Sequence, residues 1–471
     1  MNPLSLAANG AWLISSLPAA RAFRHGLNRV AETQERILLG ILRRNAQTAF
    51  GRAHEFASIR SVDEYQRRVP LRTYDGFAEE MRRVEAGEAN VLTASPIEHF
   101  EPTSGSAGAS KLIPYTREFR EEFGRAIAPW VCSIAAATPS AFAGRAYWSL
   151  SPVGVAPRRT TGNIRIGFDD DEEYLGRIRG ALVRAVQAVP SGVRAILDIE
   201  AFRRTTLEHL VACRSLSFIS VWHPSFLLML VEPVRDTTTI WPQLRVISCW
   251  ADAGCANAAA ELGRRFPQAR IEPKGLLSTE GVVTIPYDGA NVLAYRSHFV
   301  ELRSVETGRV VPAAEAELGR YDVVLTTGGG FYRYVTDDLV DVTGFRERCP
   351  ILRFVGRASH VSDHFGEKLH EVFVRERLDR ALRELAVVAR YATLAFEGDR
   401  YALLIDTDAL DLDRIAARLD ELLRENFHYD YCRRLGQLGA ICAKREKEDL
   451  VANATGLRLG DVKPTALSSR A

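Results

Sequence analysis

The segment RVISCWADAG, residues 245–254, decides how the middle of this 471-residue chain folds. It is a short run of β-branched and aromatic residues that a glycine ends, and FISVWHP at 218–224 repeats the pattern with a proline at its end. Short apolar runs of this kind are typical of strands buried inside an α/β sheet. Helical patterns at 172–189 and 224–234 predict helices beside these strands.

Outside this segment the chain divides into two parts. Up to Gly344, helical patterns and further strand patterns predict a large domain that includes a small β subdomain. The helical patterns lie in the opening residues, at 28–50 and at 115–137, and the strand patterns lie at 291–305, 308–312 and 320–329. After Gly344, a helix, a hairpin joined at 397–399 and the amphipathic helix at 411–426 predict a small α+β unit.

These patterns predict an α/β protein of two domains, since 471 residues exceed what one compact core usually holds. The N-terminal domain, residues 1–353, is expected to consist of several subdomains, with mixed sheets packed against helices and the small β subdomain. The C-terminal domain, residues 354–471, is expected to be a small, mobile α+β unit of ordinary domain size.

Composition excludes several classes of protein. Lys and Arg number 61 against 59 Asp and Glu, which argues against a protein that coats nucleic acid. No run of about 18 apolar residues is present, and the opening residues lack the positive start of a signal peptide. The seven cysteines have no CxxC spacing, as in reduced cytosolic proteins. We expect a cytoplasmic monomer that binds neither nucleic acid nor membrane.

The stretch TSGSAGASKLIPYT, residues 103–116, is the first candidate site. Small residues let backbone N–H groups approach a ligand, hydroxyls add donors, and Lys111 adds a positive charge, which together favour a phosphate. The stretch is not a Walker A loop, because its glycines stand at the wrong offsets from Lys111, and it lacks the GxSxG pattern. The alternative is an ordinary polar turn before a buried strand.

Two further stretches place carboxylates beside hydroxyl or aromatic residues. In PKGLLSTEGVVTIPY, 273–287, Glu280 follows two hydroxyl residues and could hold a phosphate together with Mg²⁺. In TTGGGFYRYVTDDLVDVTGF, 326–345, Asp338 could accept the two hydroxyls of a ribose while aromatic rings form a wall for a base. The alternatives are a turn or helix cap for the first stretch, and a glycine-rich bend with exposed acids for the second.

Two late stretches each contribute one basic candidate residue. Arg357 follows a strand and a glycine in FVGRASHVSDHFGEKLHE, 354–371, where three histidines lie close together without the spacing of a zinc site. Lys463 stands before Pro464 in GLRLGDVKPTALSS, where a solvated surface lysine is the alternative.

In this order, the five stretches resemble the acyl-adenylate-forming superfamily. More closely, the chain resembles the auxin-responsive acyl-acid amido synthetase family of the Gretchen Hagen type. The resemblance covers nearly the whole chain, in QERILLGILRRNAQTAFGRAHEF, VLTASPIEHFEPTSGSAG, WPQLRVISCWADAG, GLLSTEG, SHFVEL, FYRYVTDDLVDVTGF and FVGRASHVSDHFGEKLHE.

The resemblance implies an ATP- and Mg²⁺-dependent ligase. It implies that a small carboxylic acid is adenylated, with release of pyrophosphate, and that an amine, often an amino acid, then displaces AMP to give an amide. Position by position it implies nucleotide contacts at Thr103, Ser104, Gly105, Ser106, Gly108, Ser278, Thr279, Tyr334, Asp338 and Arg357. It implies catalytic roles for Lys111, Glu280 and Lys463, with Glu280 as the Mg²⁺ ligand and a hinge near 355–360.

Some positions depart from the family's pattern. Ala107 replaces a hydroxyl residue of the phosphate loop, Val335 stands where plant members have an arginine, and Leu276 or Leu277 replaces an aromatic residue near adenine. For the acid pocket, the segment around 222–226 offers candidate lining residues, although its helix is equally typical of a core; the candidates are Trp222, His223 and Phe226.

Three alternatives to the amido synthetase stay open. The acceptor could be a thiol, on coenzyme A or a carrier protein, instead of an amine. A Ser-dependent amidohydrolase would use the serine-rich loop, but it needs a lysine or a His/Asp base at matching spacing, and none is evident. The third is a nucleotide-binding scaffold without chemistry, which the departures at Ala107 and Val335 would favour.

Overall fold

A computed structural model describes residues 3–103, 111–149, 158–167, 176–196, 198–252, 255–357, 361–362, 364–365, 367–446 and 465–468. The helices are α1 Pro3–His25, α2 Val30–Asn45, α3 Ala49–Ala53, α4 Val62–Arg68, α5 Ala78–Glu85, α6 Arg117–Ala137, α7 Gly176–Val186, α8 Ile199–Ala212, α9 Pro224–Leu230, α10 Thr237–Ile240, α11 Ala256–Arg265, α12 Glu371–Glu384, α13 Leu412–Leu423 and α14 Phe427–Arg434.

The strands are β1 Ile97–Pro102, β2 Leu112–Thr116, β3 Arg145–Trp148, β4 Arg158–Arg159, β5 Arg165–Ile166, β6 Leu216–Ser220, β7 Val246–Cys249, β8 Arg270–Pro273, β9 Leu277–Ser278, β10 Gly281–Val282, β11 Thr284–Tyr287, β12 Ala290–Leu293, β13 Phe299–Ser304, β14 Val310–Pro312, β15 Gly319–Thr326, β16 Tyr334–Arg346, β17 Cys349–Arg357, β18 Val361–Ser362, β19 Leu369–His370, β20 Ala389–Glu397, β21 Arg400–Thr407 and β22 Cys442–Arg445.

The two stretches that define the middle of the chain form neighbouring parallel strands. β6 and β7 are buried at every position and lie at the centre of a four-stranded parallel sheet of order β3-β6-β7-β8. Helices α8, α9 and α11 connect and cover these strands, and the sheet and helices share one hydrophobic core. The predicted α/β fold is confirmed.

The predicted small β subdomain is part of a larger antiparallel sheet. Its seven strands have the order β11-β12-β17-β16-β15-β13-β14. β16, with 13 residues, pairs with both β15 and β17 and therefore forms the middle of the sheet. This sheet places the aromatic-acidic stretch and Arg357 on adjacent strands.

The phosphate-loop stretch connects two paired strands. β1 and β2 pair in antiparallel fashion from Ile97 to Thr116, with Pro102 opposite Leu112 at the loop end. The helix predicted from residue 115 begins at Arg117 instead, because Tyr115 and Thr116 still pair with β1 and the Thr116 side chain caps the helix by accepting a hydrogen bond from the Phe119 N–H.

The C-terminal part contains the predicted hairpin and amphipathic helix. β20 pairs with β21, and the apolar stripe of α13 is buried, with Ile415 and Leu419 at its centre. Residues 465–468 lie against β20, where Leu394 forms a bridge with Leu467. β17 continues to Arg357 within the seven-stranded sheet, so the predicted domain boundary at 353/354 falls inside this strand.

Candidate functional site

The ends of the predicted phosphate loop are held together by the backbone. The Thr103 N–H donates to the Lys111 carbonyl at 2.8 Å, directly beyond the last paired residues of β1 and β2. The other predicted loop residues, Ser104, Gly105, Ser106 and Gly108, lie outside the described residues, as do Ala107 and Lys463. The described geometry therefore fixes the base of the loop.

Tyr74 positions the Lys111 end of this base. The Tyr74 hydroxyl accepts from the Leu112 N–H at 2.9 Å and donates to the Leu112 carbonyl at 3.2 Å. Burial raises the pKa of Tyr74 to about 12, against the opposing effect of the hydrogen bond with Leu112, so the phenol stays neutral. The Lys111 ammonium lies 5.9 Å from the centre of the Tyr74 ring, within the range of a cation–π contact.

Glu280 lies in a tight two-residue turn. β9 and β10 pair Ser278 with Gly281, which leaves Thr279 and Glu280 at the tip of the hairpin. The Tyr115 hydroxyl donates to the Thr279 carbonyl at 2.8 Å and so ties this turn to β2, the strand that follows Lys111. Glu280 is 7% exposed, so its carboxylate lies against protein on most sides.

Asp338 owes its position to an irregularity in β16. The pairing with β15 shifts between Asp322 and Val324, and Asp337 in the bulged segment has a φ of +65°. A β-bulge of this kind re-aims the side chains beside it. The Asp338 N–H donates to the Thr336 hydroxyl at 3.2 Å, and Asp338 is 3% exposed. The alternative of a bend with exposed acids is wrong for Asp338.

Asp338 and Arg357 are cross-strand neighbours on β16 and β17. Arg357 Nε lies 3.5 Å from Asp338 Oδ1, yet neither atom has a hydrogen-bond partner among the described residues. Burial works to lower the pKa of Arg357, but the carboxylates of Asp338, Glu280 and Glu371 outweigh it and raise the pKa above its usual value. The two side chains attract each other while each keeps an unused hydrogen-bonding atom.

Tyr334 lies close to Glu280, Asp338 and Arg357. Burial, followed by the charges of Glu280, Asp337 and Asp338, raises the pKa of the Tyr334 phenol well above its usual value, so the hydroxyl keeps its proton. This hydroxyl is buried and has no hydrogen-bond partner in the described part of the chain. The Tyr334 ring stacks on Phe331 with ring centres 4.9 Å apart, and Phe331 lies beside Tyr74 at 6.2 Å.

The structure therefore brings the predicted residues of three separate stretches into one cluster near the strand that follows Lys111: Glu280, Tyr334, Asp338 and Arg357. Its unsatisfied atoms are an acceptor on Asp338 and donors on Tyr334 and Arg357. Buried polar atoms without partners are uncommon in folded proteins and indicate a missing partner. A ribose, which offers hydroxyls that both donate and accept, and phosphate oxygens, which accept, fit this donor and acceptor set.

The candidate acid-pocket residues have three different environments. Trp222 is half-buried, and its ring centre lies 4.9 Å from the ammonium of Lys274. His223 is buried and caps α9 by accepting from the Ser225 N–H at 3.1 Å. Phe226 is fully buried in the core beneath the parallel sheet, so the core alternative describes Phe226.

Lys274, Trp130 and Trp148 were not among the sequence candidates. The ring centres of Trp130 and Trp148 lie 5.1 and 6.0 Å from the Lys274 ammonium. Lys274 is buried, with 5% of the residue exposed. Lys274 directly follows the parallel strand β8, but this strand carries Arg270 and Glu272 and so has no apolar pattern that would mark its end in the sequence. No periodicity links it to tryptophans 126 and 144 residues earlier in the chain.

Two family models match this chain. Residues 19–235 match the N-terminal domain of the GH3 family, and residues 292–357 match its central domain, together more than half of the chain. The chain belongs to the GH3 family. The resemblance to the auxin-responsive acyl-acid amido synthetases, which are ATP-dependent ligases, is thereby confirmed. The central-domain match ends at Arg357 and includes both members of the Asp338–Arg357 pair.

Known GH3 proteins resemble this chain over most of its length. It is 24% identical over 407 residues to the putative indole-3-acetic acid-amido synthetase GH3.10 of Oryza sativa subsp. japonica. The match spans 75% of this chain and 83% of that protein. Its fold is similar to that of the acyl acid amido synthetase AtGH3.15 in complex with 2,4-DB, with a TM-score of 0.81, 16% identity and coverage of 96% and 94% of the two chains. The 2-hydroxyisobutyryl-CoA ligase in its postadenylation state shares the fold more distantly, with a TM-score of 0.54, 13% identity and coverage of 92% and 89%.

Proposed function

We propose that this GH3 protein uses ATP to adenylate a small carboxylic acid and then transfers the acyl group to an amine, with an amino acid as the proposed acceptor. The observation that carries the proposal is the cluster of Glu280, Tyr334, Asp338 and Arg357, whose unsatisfied atoms suit a nucleotide. The relatives named as amido synthetases support the same reaction.

Each residue of the cluster has a proposed role. Asp338 accepts from the ribose hydroxyls, and Tyr334 donates to a nucleotide oxygen from its protonated phenol. Arg357, held beside Asp338, donates to a phosphate or ribose oxygen. Lys111 and the loop that begins at Thr103 hold the β- and γ-phosphates, with Ser278 and Thr279 near adenine and the α-phosphate. With Leu276 or Leu277 in place of an aromatic residue, adenine stacks on a different residue or packs on aliphatic side chains.

Mg²⁺ binding is proposed through Glu280. Among the described residues, no group of three or more His, Cys, Asp or Glu side chains is arranged to hold a metal ion. A single carboxylate suits Mg²⁺, because this ion usually takes one or two protein carboxylates together with phosphate oxygens and waters. When bound, Mg²⁺ supplies charge that offsets the negative charge of the leaving pyrophosphate.

The reaction has two steps. In the first, a carboxylate oxygen of the acid attacks the α-phosphorus of ATP, the bond to the β-phosphate oxygen breaks, and pyrophosphate leaves. In the second, the amine attacks the acyl carbon, AMP leaves, and the amine loses a proton. The protein contributes position and charge, which are the main sources of rate in phosphoryl transfer. We propose that the C-terminal domain moves between the steps about a hinge after β17 and that Lys463 reaches the nucleotide.

The setting of the enzyme is also proposed. None of the seven cysteines forms a disulfide in the described part of the chain, which supports a reducing compartment such as the cytoplasm. In the described residues, no helix is both long enough and apolar enough to cross a bilayer. We propose a monomer whose partners are its small acid and amine substrates and not nucleic acid.

The test is pyrophosphate release from ATP across a panel of small aromatic and aliphatic acids, with and without amino acids or coenzyme A. Acid-dependent release, with amide formation when amino acids are added, is expected. Thioester formation with coenzyme A and no amide would favour the thiol acceptor. Acid release from amides without ATP, with labelling by a serine-reactive phosphonate, would favour the amidohydrolase. Folded protein that binds ATP but stays silent with every acid would contradict the proposal and favour the scaffold.

A further inference from the structure

The first helix of the chain has apolar side chains on its solvent-exposed side. The first 20 residues carry no charged side chain, and most of α1, Pro3–His25, lies within them. Leu6, Ile14 and Leu17 are 45%, 69% and 38% exposed. Spacings of three and four residues place them, together with Gly10, on one line along the helix. A Cβ atom added at Gly10 would meet no atom within 4 Å, so this line faces open space.

Polar and aromatic side chains on the opposite side of α1 fix this orientation. Asn9 is 4% exposed, and its amide donates to the carbonyls of Phe142 and Gly144 at 2.8 and 3.1 Å. The Trp12 ring packs against Phe142 and Trp148, with ring centres 6.3 and 5.6 Å apart. Rotating the helix to bury its leucines would break both amide hydrogen bonds and expose Trp12. The helix is therefore held with its apolar line outward.

The end of α1 adds positive charge to the same line. Arg21 and Arg24 follow Leu17 by four and seven residues, which continues the spacing of the apolar side chains. Both arginines are exposed, and the first acidic residue of the chain is Glu32, beyond the helix. The outer face of α1, as we name this line, consists of Leu6, Gly10, Ile14, Leu17, Arg21 and Arg24. Apolar side chains followed by basic ones suit a surface with an apolar interior and negative headgroups.

The apolar part of this face lies before the segment that matches the GH3 family. The match to the N-terminal domain of the family starts at residue 19, after Leu17. The residues of the nucleotide cluster all come from later elements of the chain. Contiguous exposed apolar side chains mark surfaces at which proteins bind other proteins or membranes. The outer face of α1 is therefore a surface that the proposed reaction does not use.

We propose that the outer face of α1 docks this protein onto an anionic membrane surface. Its exposed apolar side chains enter the boundary between headgroups and acyl chains, and Arg21 and Arg24 lie among the phosphates of anionic lipids. The lack of an apolar run of about 18 residues excludes a helix that spans a bilayer but not one that lies along its surface. The proposal therefore replaces the expectation, drawn from that lack, that the chain binds no membrane. It goes beyond the proposed reaction and does not depend on it.

Sedimentation of the full chain with lipid vesicles tests the proposal. Wild type should bind vesicles of phosphatidylcholine mixed with phosphatidylglycerol. It should bind vesicles of phosphatidylcholine alone about tenfold or more weakly, since each arginine near an anionic surface adds about fivefold to the affinity. Replacing both Arg21 and Arg24 with alanine should remove most of that difference. Equal binding of wild type to the two kinds of vesicle, or binding to neither, would overturn the proposal.

Ile14→Glu and a matched control show whether α1 is the docking surface. Ile14→Glu should weaken binding to the anionic vesicles by about tenfold or more, because an apolar side chain that enters the lipid is replaced by a negative charge. Leu410→Glu adds the same charge at a leucine that is 95% exposed outside α1, and it should bind as wild type does. Both positions are exposed, so both variants should keep the thermal unfolding temperature of wild type. If the two variants bind alike, α1 is not the docking surface.

Gly10→Leu tests the same face by strengthening it. The space at this position is open, so a leucine fits without a clash and, once it enters the lipid, should raise the affinity for the anionic vesicles by about tenfold. Leucine also forms helices more readily than glycine does, so the change should not weaken the fold. This variant decides if Ile14→Glu does not fold. Unchanged binding by Gly10→Leu would count against the proposal.

A second copy of this chain is the other partner that could cover the outer face of α1. Light scattering of wild type in solution should give the mass of a monomer. A dimer that Ile14→Glu converts to a monomer, together with no binding to either kind of vesicle, would overturn the proposal and assign this face to self-association.

Discussion

The seven-stranded sheet carries two arginine–carboxylate pairs, one at Glu301 and one at Asp338, that are built differently. Arg333, just before β16, lies 3.0 Å from Glu301 on β13, and their side chains are 7% and 1% exposed. Arg333 Nη1 also donates to the carbonyls of Gln66 and Val69, both at 2.9 Å, and the Gln66 amide donates to Glu301 at 2.8 Å. The Asp338–Arg357 pair is longer, at 3.5 Å, and its two facing atoms have no hydrogen-bond partner within the described chain.

From this difference we propose that the first pair is structural and that the second binds a ligand. The Arg333–Glu301 pair uses its hydrogen bonds to join α4 and the residue after it to the sheet, and leaves little for a ligand. The Asp338–Arg357 pair has one member, Arg357, that is 24% exposed, and it keeps hydrogen-bonding capacity in reserve. Unsatisfied buried atoms are expected where a ligand completes the structure. Substitutions in both pairs, and at Glu280 and Tyr334 beside the second pair, test this proposal.

The largest effect is expected on stability at the closed pair. Glu301→Gln leaves Arg333 as an uncompensated buried charge and should lower the free energy of unfolding by about 3–5 kcal/mol in urea denaturation. The matched change at the open pair, Asp338→Asn, should cost about 1 kcal/mol or less, because the partly exposed Arg357 can be solvated. Equal losses in the two variants would remove the distinction between the pairs.

Glu280→Gln should lower kcat for pyrophosphate release by about 100- to 1000-fold, the usual cost of losing one preorganised charge at a reacting centre. The variant should also need a higher Mg²⁺ concentration for half-maximal rate, since an amide is a weaker Mg²⁺ ligand than a carboxylate. Thermal unfolding should be nearly unchanged, because Glu280 lies in a turn at the end of a hairpin. A normal kcat in this variant would exclude Glu280 from the chemistry.

Asp338→Asn should raise KM for ATP by about 10- to 100-fold, the range for a lost hydrogen bond to a charged group. The cause is identified with 3′-deoxy-ATP as a second substrate. Wild type should discriminate against the deoxy nucleotide, and the variant should treat the two nucleotides nearly alike. If the variant still discriminates as wild type does, Asp338 does not bind the ribose.

The smallest effect is expected at Tyr334. Tyr334→Phe removes a hydroxyl that makes no hydrogen bond in the described structure, so stability should stay within about 0.5 kcal/mol of wild type while affinity for ATP falls by about three- to tenfold. Tyr65→Phe is the matched control, because the Tyr65 hydroxyl is hydrogen-bonded to Thr326 at 2.7 Å. That control should lose about 1 kcal/mol of stability and keep its ATP affinity. The reverse pattern would place the nucleotide elsewhere.

Much of the fold could be predicted from short-range sequence patterns. The strands at β6 and β7 and the hairpin of β20 and β21 follow directly from their β-branched residues and breakers. The start of α6 was wrong by two residues because tertiary pairing with β1 keeps Tyr115 extended. The domain boundary at 353/354 stays a prediction, although it interrupts β17, whose pairing with β16 is a long-range feature that local pattern does not contain.

The part of the candidate site that could be predicted is the part that the order of the sequence motifs indicated. Glu280, Tyr334, Asp338 and Arg357 come together in the described structure, although no spacing along the chain brings them close. The burial of Asp338 depends on a bulge in β16 that the sequence does not announce. Lys274 and the three tryptophans around its ammonium were missed because a lysine is ordinarily solvated and because the tryptophans come from three distant elements.

Acid-dependent exchange of labelled pyrophosphate into ATP tests the central claim most directly, since it reports adenylation alone and needs no acceptor. The account predicts exchange by wild type with at least one acid of the panel. It also predicts near-complete loss of exchange at subsaturating ATP in Asp338→Asn, while that variant keeps its stability. Undiminished exchange in a folded Asp338→Asn variant would contradict the claim that the open Asp338–Arg357 pair binds the nucleotide.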